Sequence, residues 1–295
     1  MARRQTTKKG DCGSRKNSKC RHLKKSAFSN MRKICLLVLA FMAMHVYAGE
    51  PVRHVENNAF RRGEILVFNA MYHSRMTGSV TAGDARLEIL PGNKLIDGRT
   101  TMHIKGTANT RGVFNLFFRV ENYYHSYVDE KTLAPLRFHR NIREGRYRRE
   151  DNVHFDHQNN LAFSERDTTI IPPFVQDIIS ALYFARTFDM AHVKPGDSFE
   201  VDFYLSDSVY VSRILFEGRE QITTRLGTFN TLVFKPQVQE GTVFNQPYPM
   251  TLWISDDKNK IPIRVESGLI VGTARLDLAQ FGGLRNPITS FVARP

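Results

Sequence analysis

Apolar and polar residues alternate along one segment after another from Glu64 onward. Ile65 and Val67 form an apolar set with Glu64 in the opposite set, and residues 85–89 and 199–206 repeat this alternation. Successive side chains of a strand point to opposite faces of a sheet, so a period of two predicts strands that bury one face. Short turn sequences, among them the stretch PGN at 91–93, separate the segments. This pattern is typical of strands joined in an antiparallel meander.

The longest alternating run is the stretch VFNLFFRVENYYHSYVDE at residues 113–130. One strand of that length would have to bend or bulge, as in the wall of a strongly curved sheet. We therefore predict a mainly β protein with about 12 to 14 strands. The strands would form an antiparallel meander that folds into a curved sheet or an incomplete β-barrel. The predicted boundaries are a lead-in at 49–63, a single β-rich domain at 64–280 and a C-terminal tail at 281–295.

One segment departs from the alternation. The stretch IIPPFVQDIISALYFARTF carries apolar residues at helical spacing after two prolines, which predicts one apolar helix at about 174–188. A helix that is apolar nearly all round must be buried or covered. It is either an ordinary core helix on one sheet face, or a helix that covers or plugs the barrel and lines a ligand cavity. In the second case its candidate ligand-binding residues are Phe174, Asp177, Ile178, Ser180, Ala181, Tyr183 and Phe184.

Two polar residues stand out within this apolar segment. Asp177 and Ser180 lie three positions apart, which places them on one face of a helix. A carboxylate in the first turn also interacts favourably with the positive end of the helix dipole. The pair therefore predicts either a stabilised helix start or a polar anchor inside a pocket.

Six arginines cluster in the stretch RFHRNIREGRYRRE around a predicted hairpin at Glu144 and Gly145. Guanidinium groups bind phosphates and carboxylates through paired hydrogen bonds. Arg143, Arg146 and Arg148 are therefore candidates for binding an anion such as a lipid head group or an acidic glycan. Acidic residues are interleaved with them, so a solvated surface with local ion pairs is the alternative.

A secretory signal is predicted inside the chain, at residues 31–48. Arg32 and Lys33 precede an uncharged run at 34–44, and Val46 and Ala48 occupy the −3 and −1 positions of a small-residue cleavage site. This order of regions is typical of a signal peptide. The run is also shorter than the roughly 20 residues that a membrane-spanning helix requires. The sequence thus predicts export, with no transmembrane span in the mature chain.

Residues 1–30 form a basic leader that lacks the apolar residues of a core. We interpret it as an over-long start, with a basic nucleic-acid tail as the alternative. Residues 1–48 hold twelve of the 42 Lys and Arg residues but only one of the 29 acidic residues, as well as all three cysteines. The remaining chain is close to neutral, so its charge does not indicate a nucleic-acid partner. It also has no thiol for a disulfide or a metal site.

The familiar catalytic motifs are missing from the sequence. It contains no G-x-S-x-G elbow, no H-E-x-x-H and no glycine-rich phosphate loop. His154, Asp156 and His157 are close in sequence, but alternation would separate them across a strand, and a zinc site needs at least three converging ligands. Asp256 and Asp257 are adjacent and would diverge in the same way. We therefore predict no catalytic residues, no metal and no cofactor.

Four ordered motifs give the chain a family resemblance. FVQDIISALYFAR at 174–186, KPGDSF at 194–199, LGTFNT at 226–231 and LWISDDKNKIPIRVES at 252–267 resemble those of an exported bacterial family of unknown function. Phe174 and Phe184 stand where that family often has tyrosine. The resemblance implies a mainly antiparallel β-protein of the cell envelope, in the periplasm of a Gram-negative bacterium. It also implies a distant architectural likeness to open-barrel lipid or lipoprotein carriers, and it transfers no catalytic residue.

The hypothesis favoured by these patterns is non-enzymatic binding of a hydrophobic or amphiphilic envelope ligand. One alternative is a hydrolase acting on envelope glycans, with Asp177, His125 or Asp256 in its site. Another is a structural partner in an envelope assembly. The oligomeric state and the identity of the ligand are left open.

Overall fold

The alternating segments form an antiparallel sheet that curves without closing. A computed structural model describes residues 53–75, 78–237, 248–269 and 272–294. The predicted basic leader at 1–30 and the signal peptide at 31–48 lie outside the described residues. The chain from Arg53 onward forms one compact unit.

Fifteen strands and two helices are present in the described ranges. The strands are β1 (Ile65–Ser74), β2 (Gly78–Ile96), β3 (Arg99–Thr110), β4 (Glu121–Asp129), β5 (Pro135–Glu144), β6 (Tyr147–Asp156), β7 (Leu161–Phe163), β8 (Thr168–Ile170), β9 (Ser198–Leu205), β10 (Ser208–Thr223), β11 (Thr228–Pro236), β12 (Met250–Ser255), β13 (Pro262–Gly268), β14 (Thr273–Gly282) and β15 (Phe291–Ala293). The helices are α1 (Phe114–Phe117) and α2 (Ile178–Ala185).

The strands form two meanders, β1 to β8 and β9 to β14, which are joined through the pairing of β1 with β14. The strand order runs β8-β7-β6-β5-β4-β3-β2-β1-β14-β13-β12-β11-β10-β9, so β1 pairs with β14 near the middle and β8 and β9 are the two ends. β15 adds to β11 from the C-terminal segment. The predicted fold class, a mainly β curved sheet or incomplete barrel with a covering helix, is confirmed.

Irregularities in register bend the long strands. β1 changes register between Val67 and Phe68 against β14, and between Ala70 and Met71 against β2. The predicted turn PGN at 91–93 is wrong, because β2 continues through it with a register change between Ile89 and Asn93. An extra residue in one strand leaves the ladder locally unpaired and increases the bend, which produces a curved wall from a long strand.

The predicted single strand at 113–130 is also wrong. Gly112 has a φ of +56°, and residues 114–117 form the short helix α1 before β4 begins at Glu121. The Thr110 hydroxyl donates to the Asn115 amide oxygen at 2.9 Å, which holds this turn closed. Local side-chain bonding of this kind competes with a strand, and alternation alone does not show it.

The alternation in β1 has the opposite phase from the predicted one. Leu66 and Phe68 are buried, and Glu64 is on their side with no exposed surface, whereas Ile65 and Val67 are only partly buried. The prediction assumed that a carboxylate would face solvent. Burial is possible here because Glu64 meets the guanidinium of Arg186, as described below.

Helix α2 packs on the inner side of the sheet. Ile179 and Tyr183 belong to the largest core cluster, together with Ile104 of β3 and Val128 of β4. The helix is shorter than the predicted span of 174–188, because it begins only after Asp177 and ends at Ala185. No helix within the described ranges has the length and apolar character to cross a membrane.

Both flanking segments contribute to the folded unit. Phe60, in the predicted lead-in, is fully buried in the core cluster that contains α2. In the predicted tail, Phe291 packs its ring 5.3 Å from the ring of Phe229 and pairs with β11. These two segments thus cover the core from opposite ends of the chain.

A glycine in β3 sets the approach of α2 to the sheet, which gives the first prediction. A Cβ at Gly106 would lie 3.2 Å from Ile179 Cδ1, whereas one at Gly92 would meet nothing within 4 Å. We expect Gly106→Val to lower the free energy of unfolding by about 1–3 kcal/mol through overpacking. Urea denaturation measures this, with Gly92→Val as the control. Equal effects of the two substitutions would contradict this account of the packing.

Candidate functional site

The start of α2 is held by a buried capping box. The Asp177 carboxylate accepts hydrogen bonds from the backbone N–H groups of Ile179 at 2.8 Å and Ser180 at 2.7 Å. In return the Ser180 hydroxyl oxygen accepts from the Asp177 N–H at 2.9 Å. This arrangement satisfies N–H groups that a helix start otherwise leaves without partners. It confirms the structural interpretation of the pair, a stabilised helix start.

The same carboxylate connects the helix to the sheet. The Ser126 hydroxyl of β4 donates to Asp177 Oδ2 at 2.5 Å, and both residues are buried. Burial raises the pKa of Asp177 to about 6, although its hydrogen bonds favour the charged form and oppose the rise. Asp177 is thus a buried, titratable attachment point between α2 and the inner face of the sheet.

The other end of α2 is held by a buried ion pair. Arg186 donates from its two terminal nitrogens to the two carboxylate oxygens of Glu64, at 2.6 and 2.8 Å, and neither residue is more than 2% exposed. Its Nε donates to the Asn259 carbonyl at 3.0 Å. The guanidinium also lies 5.2 Å from the ring centroid of Phe60 and 5.0 Å from that of Tyr183. Buried charges are tolerated when they are paired and hydrogen-bonded in this way.

An apolar cleft of about 280 Å³ lies between α2 and strands β9 to β12. Fifteen of its nineteen lining residues are apolar. They are Ile178, Ala181, Leu182, Ala185, Phe188, Met190, Phe199, Val201, Phe203, Ile214, Phe234, Pro236, Met250, Leu252 and Ile254. Several of them also belong to the core cluster around Phe216 and Leu232, so the cleft opens directly from the protein core.

Four polar residues line the cleft, and they differ in what they offer a ligand. Arg186 is occupied by Glu64, and the Ser212 hydroxyl donates to the Gln237 carbonyl at 2.8 Å. Lys260 has no carboxylate within ion-pair distance among the residues that the structure describes. Burial lowers the pKa of Lys260, because the charged form loses hydration. Its ammonium is therefore the cation that a bound anionic group would stabilise.

Two of the seven predicted ligand-binding residues in and near α2 line the cleft, and the other five do not. Ile178 and Ala181 line the cleft. Tyr183 is buried in the core, where burial raises its pKa. Phe174 has a φ of +58° and precedes the helix, with its ring 6.1 Å from the ring of His157. The Phe184 ring lies 4.1 Å from the guanidinium carbon of Arg53, outside the cleft lining.

The predicted anion-binding arginines lie elsewhere. Arg143, Arg146 and Arg148 are exposed at the tip of the β5–β6 hairpin and do not line the cleft. The structure therefore places the helix candidates and the arginine candidates at separate surfaces. Asp177 and Ser180 are buried on the sheet side of α2 and likewise do not line the cleft.

Sequence reasoning missed three residues that define this site. Glu64 and Arg186 are 122 positions apart, and no local pattern connects them. The sequence offered one signal, which is that each residue borders a mostly apolar run. Glu64 precedes residues 65–68, and Arg186 follows residues 178–185. Lys260 lies in the turn DDKNK at 256–260, which the sequence marks only as polar, and its proximity to α2 depends on the order of the strands.

A second concavity, of about 550 Å³, is polar and lies on the other face of the sheet. His103 Nε2 and His125 Nδ1 are 2.8 Å apart, and the ring of His139 is 5.8 Å from that of His125. Burial, followed by the charges of His125 and two lysines, lowers the pKa of His103 to about 4. Within the described ranges, no group of three or more potential ligands is arranged to hold a metal ion.

The three residues of the hydrolase alternative have separate partners. Asp177 accepts a hydrogen bond from Ser126 of β4. His125 precedes Ser126 in that strand, so it faces the opposite side of the sheet, where its ring bonds to His103. Asp256 pairs with Arg219 at 3.1 Å. The structure therefore does not bring these residues into one hydrogen-bonded group.

A family model described as "Protein of unknown function (DUF3108)" matches residues 68–279. This confirms the sequence resemblance to the extent that the matching family is one of unknown function. The match does not test the individual motifs. A comparison with curated proteins finds no match.

Solved structures show a similar fold at low identity. A β-barrel-like protein of the unknown-function domain DUF1849 from Brucella abortus is 9% identical, with a TM-score of 0.52, and the alignment covers 76% of this chain and 99% of that one. A candidate lipoprotein from Parabacteroides distasonis is 12% identical, with a TM-score of 0.34 and coverage of 79% and 100%. A candidate exported protein with a YmcC-like fold from Bacteroides fragilis is 11% identical, with a TM-score of 0.32 and coverage of 77% and 99%. The first supports the barrel-like fold, and the other two scores are too low to support a conclusion.

Breaking the buried ion pair should destabilise the protein far more than breaking an exposed one. We expect Glu64→Met or Arg186→Met alone to lower the free energy of unfolding by about 3–5 kcal/mol, because each leaves an unpaired buried charge. The double variant should lose less than the sum of the two, since neither charge is left. Urea denaturation measures these values. Arg213→Met, which breaks an exposed pair with Glu200, should cost about 1 kcal/mol or less. Additive losses in the double variant would contradict the pairing.

The raised pKa of Asp177 predicts a particular pH dependence of stability. Its pKa is about 6 in the folded state and about 4 in an unfolded chain, so the folded state binds the proton more tightly. The free energy of unfolding should therefore fall by about 2–3 kcal/mol through this group as the pH rises from about 4 to about 7.

Asp177→Asn keeps a capping acceptor without a charge and should abolish this dependence. The measurement is the difference in unfolding free energy between wild type and variant at pH 4.5 and pH 7. Thr187→Val serves as the control, because it removes the hydrogen bond from the Thr187 hydroxyl to the Phe184 carbonyl at the other end of α2, which does not involve Asp177, and should give a constant offset. A wild-type-to-Asn difference that is the same at both pH values would rule out the titration of Asp177.

Proposed function

The chain belongs to the DUF3108 family of proteins of unknown function, and we propose that it binds one slender amphiphile in its apolar cleft without catalysing a reaction. The observation that carries this proposal is the composition of the cleft, which is apolar except for four residues and opens beside α2. Small-molecule sites in proteins are mostly apolar with a few placed polar groups. The cleft has this composition.

The size of the cleft favours one acyl chain or a group of similar width. Its volume of about 280 Å³ lies just below the roughly 300–1,000 Å³ that such sites span. Burying an apolar chain there would stabilise the complex by about 25 cal/mol for each Å² removed from water. The aromatic rings of Phe199 and Phe234, which line the cleft, supply large apolar surfaces for this contact.

Lys260 supports an anionic head group on the ligand. Its pKa is lowered by burial, and a carboxylate or phosphate beside the ammonium would restore the stability of its charged form. The charges of Asp189, Asp257 and Asp256 act on Lys260 and oppose the lowering of its pKa, but none of these carboxylates is within ion-pair distance of it among the described residues. Asp256 is hydrogen-bonded to Arg219, and Asp257 to Ser290. A ligand anion in contact with the ammonium would add to their stabilisation of its charged form.

We also propose that the protein acts in the cell envelope, in the periplasm of a Gram-negative bacterium. The order of basic, apolar and small residues at 31–48, which is typical of an export signal, supports export. The support for a Gram-negative periplasm is the resemblance of the four motifs between residues 174 and 267 to an exported bacterial family. The periplasm lies between two membranes, where amphiphiles need shelter from water during transfer.

A binding experiment with a fluorescent acyl probe tests the function. Dansyl-labelled undecanoic acid should bind the purified protein and gain fluorescence, and oleic acid should displace it. Ala181→Phe, which fills the cleft, should lower the affinity at least tenfold, while the same substitution at exposed Ala191 should not. Circular dichroism verifies that both variants are folded. Unchanged binding in folded Ala181→Phe would exclude the cleft as the site.

The role of Lys260 is tested with a charged and an uncharged ligand. Lys260→Met should weaken oleic acid binding about tenfold through the loss of a charge-assisted contact, and should leave oleyl alcohol unaffected. Lys258→Met is the matched control, because Lys258 is exposed in the same turn and does not line the cleft. An equal loss for both ligands would contradict recognition of an anion.

A further inference from the structure

We propose that the protein docks onto anionic lipid bilayers through a surface formed by α1 and the tip of the β5–β6 hairpin. This inference does not depend on the cleft or its ligand. The first observation is the exposure of large apolar side chains in the β3–β4 connection. Leu116 is 82% and Phe117 83% exposed, and Val113 is 69% exposed. Such a concentration of exposed apolar side chains is typical of an interaction site.

The exposed turn is held in place by the rest of the fold. The Phe114 ring packs 5.7 Å from the ring of Tyr72 and anchors α1 to β1. The Thr110 N–H donates to the Val120 carbonyl at 3.0 Å and closes the base of the connection. The outward direction of Leu116 and Phe117 is therefore a consequence of a fixed turn.

The hairpin tip and α1 form one continuous surface. The Gly145 N–H donates to the Arg119 carbonyl at 2.8 Å, and Val120 pairs with Glu144. A Cβ at Gly145 would lie 3.0 Å from the Phe118 ring, so the hairpin backbone contacts that ring directly. Apolar side chains from the connection and arginines from the hairpin thus lie side by side.

The charge of this surface favours an anionic partner. Arg143, Arg146 and Arg148 are exposed and have no carboxylate within ion-pair distance among the described residues. Arg148 donates instead to the backbone carbonyls of Gly145 and Tyr147, each at 2.8 Å. The charge of Glu121 interacts with those of Arg143 and Arg148, but its carboxylate is hydrogen-bonded to Arg119. The three hairpin guanidinium groups are therefore available to phosphate groups.

A bilayer accounts for both properties together. Peripheral membrane proteins insert apolar side chains at the boundary between head groups and acyl chains while cationic side chains contact anionic head groups. Leu116 and Phe117 project from a convex turn, whereas a binding site for a small ligand is concave. The geometry therefore favours a lipid surface as the occupant.

A local tryptophan reporter tests the docking. Trp253 is the only tryptophan, so the variant Trp253→Phe with Phe117→Trp reports from α1 alone. We expect brominated phosphatidylcholine in vesicles with equal phosphatidylglycerol to quench this reporter at least fivefold more than one at Leu95. Leu95 is 70% exposed but lies near the β2–β3 turn, at the other end of β3. Leu116→Trp provides a second reporter if the first variant folds poorly.

A triple substitution tests whether docking requires the positive charge of the hairpin arginines. Arg143→Gln, Arg146→Gln and Arg148→Gln together should weaken binding to the anionic vesicles about hundredfold, given the usual contribution of each basic residue. Pure phosphatidylcholine vesicles should quench the reporter at residue 117 only weakly, with or without the three arginine substitutions. Equal quenching of the reporters at 117 and 95, or anionic binding that survives the triple substitution, would overturn the proposal. Vesicle binding is measured without the acyl probe, so a failure here leaves the cleft result unaffected.

Discussion

The buried ion pair between Glu64 and Arg186 is the interaction on which the site depends. It joins the end of α2 to the residue that directly precedes β1, while the Asn259 carbonyl brings the β12–β13 turn to the same guanidinium. At the start of the helix, Asp177 and Ser126 make the second connection. An eight-residue helix is too short to be stable alone, so these two attachments and the core contacts determine its position.

Fixing α2 in this position creates two different environments on its two sides. Ile179 and Tyr183 face the sheet and complete the core, whereas Ala181 and Leu182 face the cleft. β9 is one end of the open sheet and contributes Phe199, Val201 and Phe203 to the lining, so the cleft lies beside an edge of the sheet. The proposed ligand would contact Ala181 and Leu182 on a helix that the hydrogen bond of Asp177 and the ion pair of Arg186 hold in place.

The fold class was predictable from sequence because period-two alternation is a local signal that short turns punctuate. The apolar helix was predictable because its helical spacing is also a local signal. Its start was predicted at about residue 174, whereas the Asp177 capping box starts it at Ile178. The burial of Glu64 and the proximity of Lys260 to α2 were not predictable, since both result from strand order and contacts distant in sequence. The exposure of Leu116 and Phe117 was also not predicted, because the alternating pattern at residues 113–130 indicated a strand and not a short helix.

The cleft beside α2 is proposed to hold an amphiphile. Native mass spectrometry of protein purified without detergent, followed by lipid extraction and identification of the released molecule, tests it most directly. The account predicts a protein–ligand species with one anionic amphiphile bound, which is lost in the Ala181→Phe variant and retained in Ala191→Phe. Protein that is empty in every preparation, or a bound molecule that stays in folded Ala181→Phe, would contradict it.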